Sequence, residues 1–264
     1  GPDIDRRIAR ARSNYLGMLR LIDDQLRRFW QELRCRGLLD NTLLIFVSDH
    51  GDFAGEYGLI RKGADLPEVL THIPMIWCGQ AVKQYGHQQT AMVNLVDIFP
   101  TICDLLDLPI PFGVQGTSLK PLLEGKAVGP DQYATAYAES GYGGLYWNEA
   151  DSLTLKEEGA CTKTAADGRP LNFDCLNSWT QSGQVRMLRR GPYKLQIDML
   201  GQGYLYDLEQ DPAELVNHYA DPAWLPIVAA MQKDLLAVML KNQDALPPPR
   251  ARYRYKSDQT GGCC

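Results

Sequence analysis

The sequence has no excess of positive charge: 27 lysines and arginines face 32 aspartates and glutamates, a formal net charge of −5. Without a dominant basic stripe, nucleic acid is not an expected partner. No apolar run reads as long enough to cross a bilayer, so no membrane partner is expected either. Histidine is scarce, with four in 264 residues. There is no CxxC pair of zinc spacing, and seven cysteines are an odd number that cannot all pair within the chain. Cys35, Cys78 and Cys103 lie in apolar contexts and read as buried free thiols. Cys161 and Cys175 flank a Gly/Asp/Asn-rich loop and are candidates for a local disulfide, while Cys263 and Cys264 end a Gly-Gly tail that reads as disordered. The first residues, Gly-Pro, resemble a protease-cleavage scar rather than a secretory signal. A reducing, cytoplasmic compartment is the expectation. No internal repeat is present.

What the chain does have is 45% hydrophobic residues, enough for a sizeable core in one large domain or two modest ones. From Asp3 to Arg36, Ile4, Ile8, Tyr15, Leu19, Ile22, Leu26, Phe29 and Leu33 recur at helical spacing. That spacing predicts a long amphipathic helix over a sheet, with a break near Ser13 and a stop at Gly37. Thr42–Val47 is a continuous, partly β-branched apolar run, the pattern of a strand buried on both faces in a parallel sheet. Ile73–Cys78 is a second such run, and Met92–Leu106 reads as a strand end passing into a helix near Pro100. Helix-then-strand alternation to about residue 140 predicts an α/β architecture. Ser140–Gly183 is Gly-, Asn- and Thr-rich without period, a long loop. There Tyr142, Tyr146 and Trp147 are candidates to rim a pocket, or simply to pack on the loop. Gln184–Arg190, Tyr193–Asp198 and Gly203–Leu208 predict an antiparallel meander, with Arg186, Arg189 and Arg190 solvated, and Trp224–Leu240 a closing helix. The units are therefore 1–140, an irregular 141–183, a small α+β subdomain over 184–246, and a tail at 247–264.

The chemistry gathers in "NTLLIFVSDHGDFAGEYGLIRKG". Ligands of open α/β sheets bind outside the carboxyl ends of strands, and Asp49 and His50 stand at that end of Thr42–Val47. A carboxylate and an imidazole are ordinary ligands of a divalent cation, and Gly51 lets the backbone turn after them. Equally, Asp49 could cap a turn with His50 packed beside it. Lys62, on a glycine-bounded loop, is a mobile point charge suited to sulfate or phosphate oxygens, or else a solvated surface lysine.

Taken together, Ser48-Asp49-His50-Gly51-Asp52, Gly55-Glu56-Tyr57-Gly58 and Lys62-Gly63 resemble the second signature of the sulfatase family, in the alkaline-phosphatase superfamily. Val96-Asp97-Ile98-Phe99-Pro100-Thr101, Gly116-Thr117-Ser118-Leu119 and "LYDLEQDPAELVNHYADP" extend the resemblance along nearly the whole chain. The resemblance implies the C-terminal half of an alkaline-phosphatase-like mixed sheet flanked by helices, followed by a small antiparallel-sheet subdomain with a closing helix. It makes Asp49 and His50 ligands of a divalent metal, usually calcium in sulfatases and sometimes manganese in phosphonate monoester hydrolases. It makes Lys62 a catalytic contact to the substrate's sulfate or phosphonate oxygens. His72 sits where an arginine is common in the family and is a candidate substrate-binding residue. Tyr57 stands where a histidine is frequent, and His87 and His218 read as surface residues.

One family element is missing. The nucleophile is a formylglycine made from the Cys or Ser of a Cys/Ser-x-Pro-x-Arg motif, and no cysteine or serine here begins one. The resemblance thus implies an arylsulfatase-like hydrolase of sulfate, phosphonate or phosphate esters, acting on a small molecule or glycan. The nucleophile and further metal ligands would come from an N-terminal half of the same enzyme. By itself the chain is expected to be inactive. The other reading is a non-catalytic module that binds a metal or an anionic glycan.

Overall fold

The computed structural model describes residues 2–63, 65–84, 86–143, 162–164, 170–172 and 183–242. Helix α1, Pro2–Cys35, leads through a short turn into β1, Leu44–Val47. A two-stranded ribbon follows, β2 at Phe53–Ala54 and β3 at Ile60–Arg61, then the short helix α2, Glu68–Thr71, and β4, Met75–Cys78. Next come α3, Ile98–Leu105, and α4, Lys120–Leu123. Strand β5, Thr135–Gly143, a small ribbon of β6 (Thr162–Thr164) and β7 (Pro170–Asn172), then β8 (Gly183–Arg190), β9 (Tyr193–Asp198), β10 (Gly203–Asp207) and helix α5 (Leu225–Lys241) complete it.

The last sheet is the best-built part of the molecule. Its order is β10-β9-β8-β5, antiparallel throughout, so the predicted meander gains β5 as a fourth strand. In register, Leu188 faces Leu195 and Leu195 faces Leu205, a row of leucines across three strands, each with no exposed surface. Val228, Met231 and Leu235 of α5, at helical spacing, close over that row. Strand side chains alternate between faces, so Lys194 and Gln196 point the other way. Both are buried there, against the segment around α2. One short strand therefore joins two layers.

The rest of the chain is more open. β1 and β4 pair antiparallel, Leu44 with Cys78 through Val47 with Met75, and form a sheet of two strands whose residues are half-buried apart from Ile76, which is exposed. The parallel neighbours expected for β1 are thus replaced by one antiparallel partner, because an apolar run specifies cover on both faces but not strand direction. Helix α1 is continuous through Ser13. It touches the β2 ribbon rather than covering a sheet: Arg12 Nε donates to Ala54 O at 2.6 Å and its guanidinium lies 3.5 Å from Glu56. Farther along, Leu16, Met18, Leu19, Leu21, Ile22, Leu26 and Phe29 are exposed.

Several local expectations need revision. Cys103 is buried, but Cys78 is half-buried and Cys35, in the last turn of α1, is exposed. Arg186, Arg189 and Arg190 are ion-paired rather than solvated, with Glu139, Glu68, and Asp131 plus Asp234 respectively. His218 stacks on Trp224 with ring centroids 4.0 Å apart. By length and composition Pro222–Lys241 would reach across a membrane, which the sequence reading overlooked, although Val228, Met231 and Leu235 are committed to the core. Cys161, Cys175, Cys263, Cys264, Tyr146 and Trp147 lie outside the described residues.

Candidate functional site

The tip of β1 turns sharply at Ser48, whose hydroxyl donates to His50 O at 2.7 Å. That bond fixes the two residues after the strand. The His50 N–H donates to Asp49 Oδ1 at 2.9 Å, and this bond holds the Asp49 carboxyl below its ordinary range. Asp49 is otherwise open, its side chain 85% exposed. The His50 ring lies with Nδ1 2.7 Å from Gly51 O. A carbonyl only accepts, so Nδ1 carries the proton and Nε2 presents its lone pair. Two groups share that lone pair's surroundings: Lys62 Nζ donates to it at 2.8 Å, and Asp49 Oδ2 lies 3.6 Å away. Asp49, His50 and Lys62, chosen from sequence alone, are thus brought together.

Gly51 is needed for space rather than for an unusual backbone angle, since its φ lies outside the left-handed region. Its N–H donates to Leu70 O at 2.9 Å, and a Cβ placed there would stand 1.9 Å from Val69 O. Only a glycine lets α2 come this close to the turn. Lys62 reaches His50 from the end of the β2–β3 ribbon, whose tip is braced from two sides. Burial would raise the Glu56 carboxyl, but the Ala54 N–H and the Arg12 guanidinium hold it below the ordinary range. Tyr57 packs edge-on against Phe53 and donates its hydroxyl to Ala213 O at 3.0 Å.

His72 takes a different place. It follows α2, is largely exposed, and its Nδ1 lies 3.4 Å from Glu68 Oε2. Glu68 in turn belongs to a second, buried cluster that sequence reasoning missed. Lys194, with no exposed surface, sits 2.8 Å from Glu214 and 3.2 Å from Glu68. Arg189 meets Glu68 at 2.5 Å. The sequence carried little signal for this cluster: Lys194 alternates with Tyr193, Leu195 and Ile197 in Tyr-Lys-Leu-Gln-Ile-Asp, the pattern of a strand with one polar face.

The turn offers a cation one carboxylate and one imidazole, an appropriate pair of donors. Among the described residues no third His, Cys, Asp or Glu joins them. A divalent ion of six or more ligands would draw the remainder from elsewhere.

The sulfatase family model matches residues 2–108. Arylsulfatase K of Canis lupus familiaris is 36% identical over 215 residues, 80% of this chain and 34% of that protein. The chain is a partial sulfatase-family protein. An N-acetylglucosamine-6-O-sulfatase of Bacteroides thetaiotaomicron is 25% identical over 93% of this sulfatase-family chain and 38% of its own length. The crystal structure of the phosphonate monoester hydrolase of Agrobacterium radiobacter superimposes with a TM-score of 0.67 and 27% identity, over 86% of the chain and 41% of that protein. The alkaline-phosphatase-like fold expected from the motifs is therefore the fold found. The chain spans about a third of the length of these curated relatives.

Proposed function

We propose that this chain forms part of the active site of a hydrolase acting on sulfate or phosphonate esters. Asp49 and His50 would hold a divalent cation, calcium or manganese, and Lys62 would face the oxygens of the transferred group. The observation that carries the reading is the convergence of Asp49, His50 and Lys62 at a strand tip, with Lys62 Nζ 2.8 Å and Asp49 Oδ2 3.6 Å from His50 Nε2. When bound, the cation withdraws negative charge from the transferred group. Lys62 contributes a flexible ammonium with three donors for the same oxyanion. His50 is oriented through Nδ1 by Gly51 O, which leaves the Nε2 lone pair to accept from Lys62 here and to bind a cation once Lys62 turns to the oxyanion. His72 would line the approach without reacting.

Nucleophilic attack needs a group that the chain's own motifs do not supply. We assign that role to a formylglycine, and the other metal ligands to carboxylates, in polypeptide beyond these 264 residues. The substrate class, a sulfate or phosphonate ester of a small molecule or glycan, rests on the kinship with the relatives above.

The test is direct. In the polypeptide that carries this chain in its source cells, Lys62→Ala is expected to lower 4-nitrophenyl sulfate hydrolysis about 100-fold, the scale of losing one charge-stabilising donor. Calorimetric titration with Ca²⁺ and Mn²⁺ should show binding that His50→Ala weakens at least about tenfold. Equal binding by wild type and His50→Ala would overturn the assignment. Binding without any ester hydrolysis would leave a metal- or anionic-glycan-binding module.

A further inference from the structure

Among the described residues, three that are not glycine adopt left-handed backbone: Tyr57 (φ 54°), Asp107 (φ 52°) and Glu214 (φ 54°). Such a conformation costs a side-chain-bearing residue about 1–2 kcal/mol and persists only where the surroundings over-determine it. Two of the three meet. Tyr57 sits at the tip of the ribbon that carries Lys62, and its hydroxyl is bonded to Ala213 O, the residue before Glu214. The Glu214 carboxylate also faces that hydroxyl.

Glu214 itself is buried and reaches in two directions. One oxygen lies 2.8 Å from Lys194 Nζ, and the other accepts the N–H of Glu68, the first residue of α2, at 2.6 Å. Two residues on, Leu70 O accepts the N–H of Gly51, directly after His50. From the Ala213–Glu214 pair, one path therefore runs through α2 to the Asp49–His50 turn. The other runs through Tyr57 to the Lys62 ribbon. The charges around Glu214 balance, Lys194 and Arg189 against Glu68 and Glu214. A buried ion pair of this kind adds little net stability over an apolar replacement, which leaves geometry as its stronger role.

We propose that Glu214 is a positioning residue of the ester-cleaving site, holding the metal-ligand turn and the Lys62 ribbon in one register from the C-terminal subdomain. It does so through Glu68 and Tyr57 rather than through Asp49, His50 or Lys62. The proposal rests on the reading of Asp49, His50 and Lys62 given above.

The two paths make it testable in the full polypeptide carrying this chain, with Mn²⁺ and inorganic sulfate as calorimetric probes and thermal melting as the control for folding. Glu214→Gln is expected to weaken Mn²⁺ binding about tenfold, the scale for groups that support metal ligands, and to weaken sulfate binding as well. Tyr57→Phe should spare Mn²⁺ but weaken sulfate about fivefold, the value of one hydrogen bond. If Glu214→Gln does not fold, Lys194→Met with Glu214→Gln removes the charge together with its counter-charge and carries the same expectation. Wild-type binding of both probes by a folded Glu214 variant would overturn the proposal. So would losses in both variants that simply follow melting temperature, since a structural role predicts no split between the probes. His50→Ala separates the two levels: unchanged Mn²⁺ binding there would overturn the site reading itself, and this proposal with it.

Discussion

The two ends of this molecule solve the same problem to different extents. The C-terminal sheet buries Leu188, Leu195 and Leu205 completely under α5. The β1–β4 sheet, with a comparable share of apolar residues, keeps all four residues of β1 half-exposed, and most of the apolar face of α1 lies open. An antiparallel meander closes locally, because each strand finds its partner across a short turn and one helix covers the face. A strand reached by long connections depends on distant chain for its neighbours. The candidate site sits in the more open part and is held in place by the more closed one, through Tyr57, Glu68, Lys194 and Glu214.

That contrast can be broken most severely at its closed end. Leu195→Ala should lower stability by about 2–5 kcal/mol, the range for a truncated, fully buried leucine, with one cooperative urea transition moving to lower concentration. Next in size is the contact between the turn and α2. Gly51→Ala forces a methyl onto Val69 O and should cost about 1–3 kcal/mol, as overpacking does. It should also weaken Mn²⁺ binding far more than Leu195→Ala measured below its own melting temperature. A methyl accommodated with unchanged binding would mean that α2 does not set the turn.

Smaller effects belong to the open part. Arg12→Ala removes the anchor of α1 on the ribbon, but Arg12 is exposed and Glu56 only half-buried, so less than about 1 kcal/mol is expected by chemical denaturation. Smallest of all, Leu19→Ser with Ile22→Ser should leave the urea midpoint within about 0.5 kcal/mol, as surface changes do. The same pair should reduce binding of a hydrophobic dye. A large loss of stability there would show that this face of α1 is already covered.

How much of this was readable beforehand depended on the range of the interaction. The α1 periodicity, the meander and the closing helix were legible because each is encoded by spacing within a dozen residues. Asp49 and His50 stood out as a charged turn after an apolar strand, a local anomaly, whereas Lys62 gained its role only from the motif resemblance. β5 was missed because its partner β8 lies across the long irregular segment. The reason for Gly51 was misjudged for the same cause: the crowding comes from Val69, which only folding brings near.

The sequence by itself thus determined the long first helix, the three-strand meander, the closing helix and the identity of the turn residues, since these follow from local period and side-chain chemistry. Only the tertiary structure decided that β1 pairs antiparallel with β4, that Lys194 is buried rather than solvated, and that Lys62 meets His50 at 2.8 Å. Those outcomes depend on which distant backbone comes close enough to accept a hydrogen bond or exclude a methyl group. No spacing along a single segment encodes that proximity.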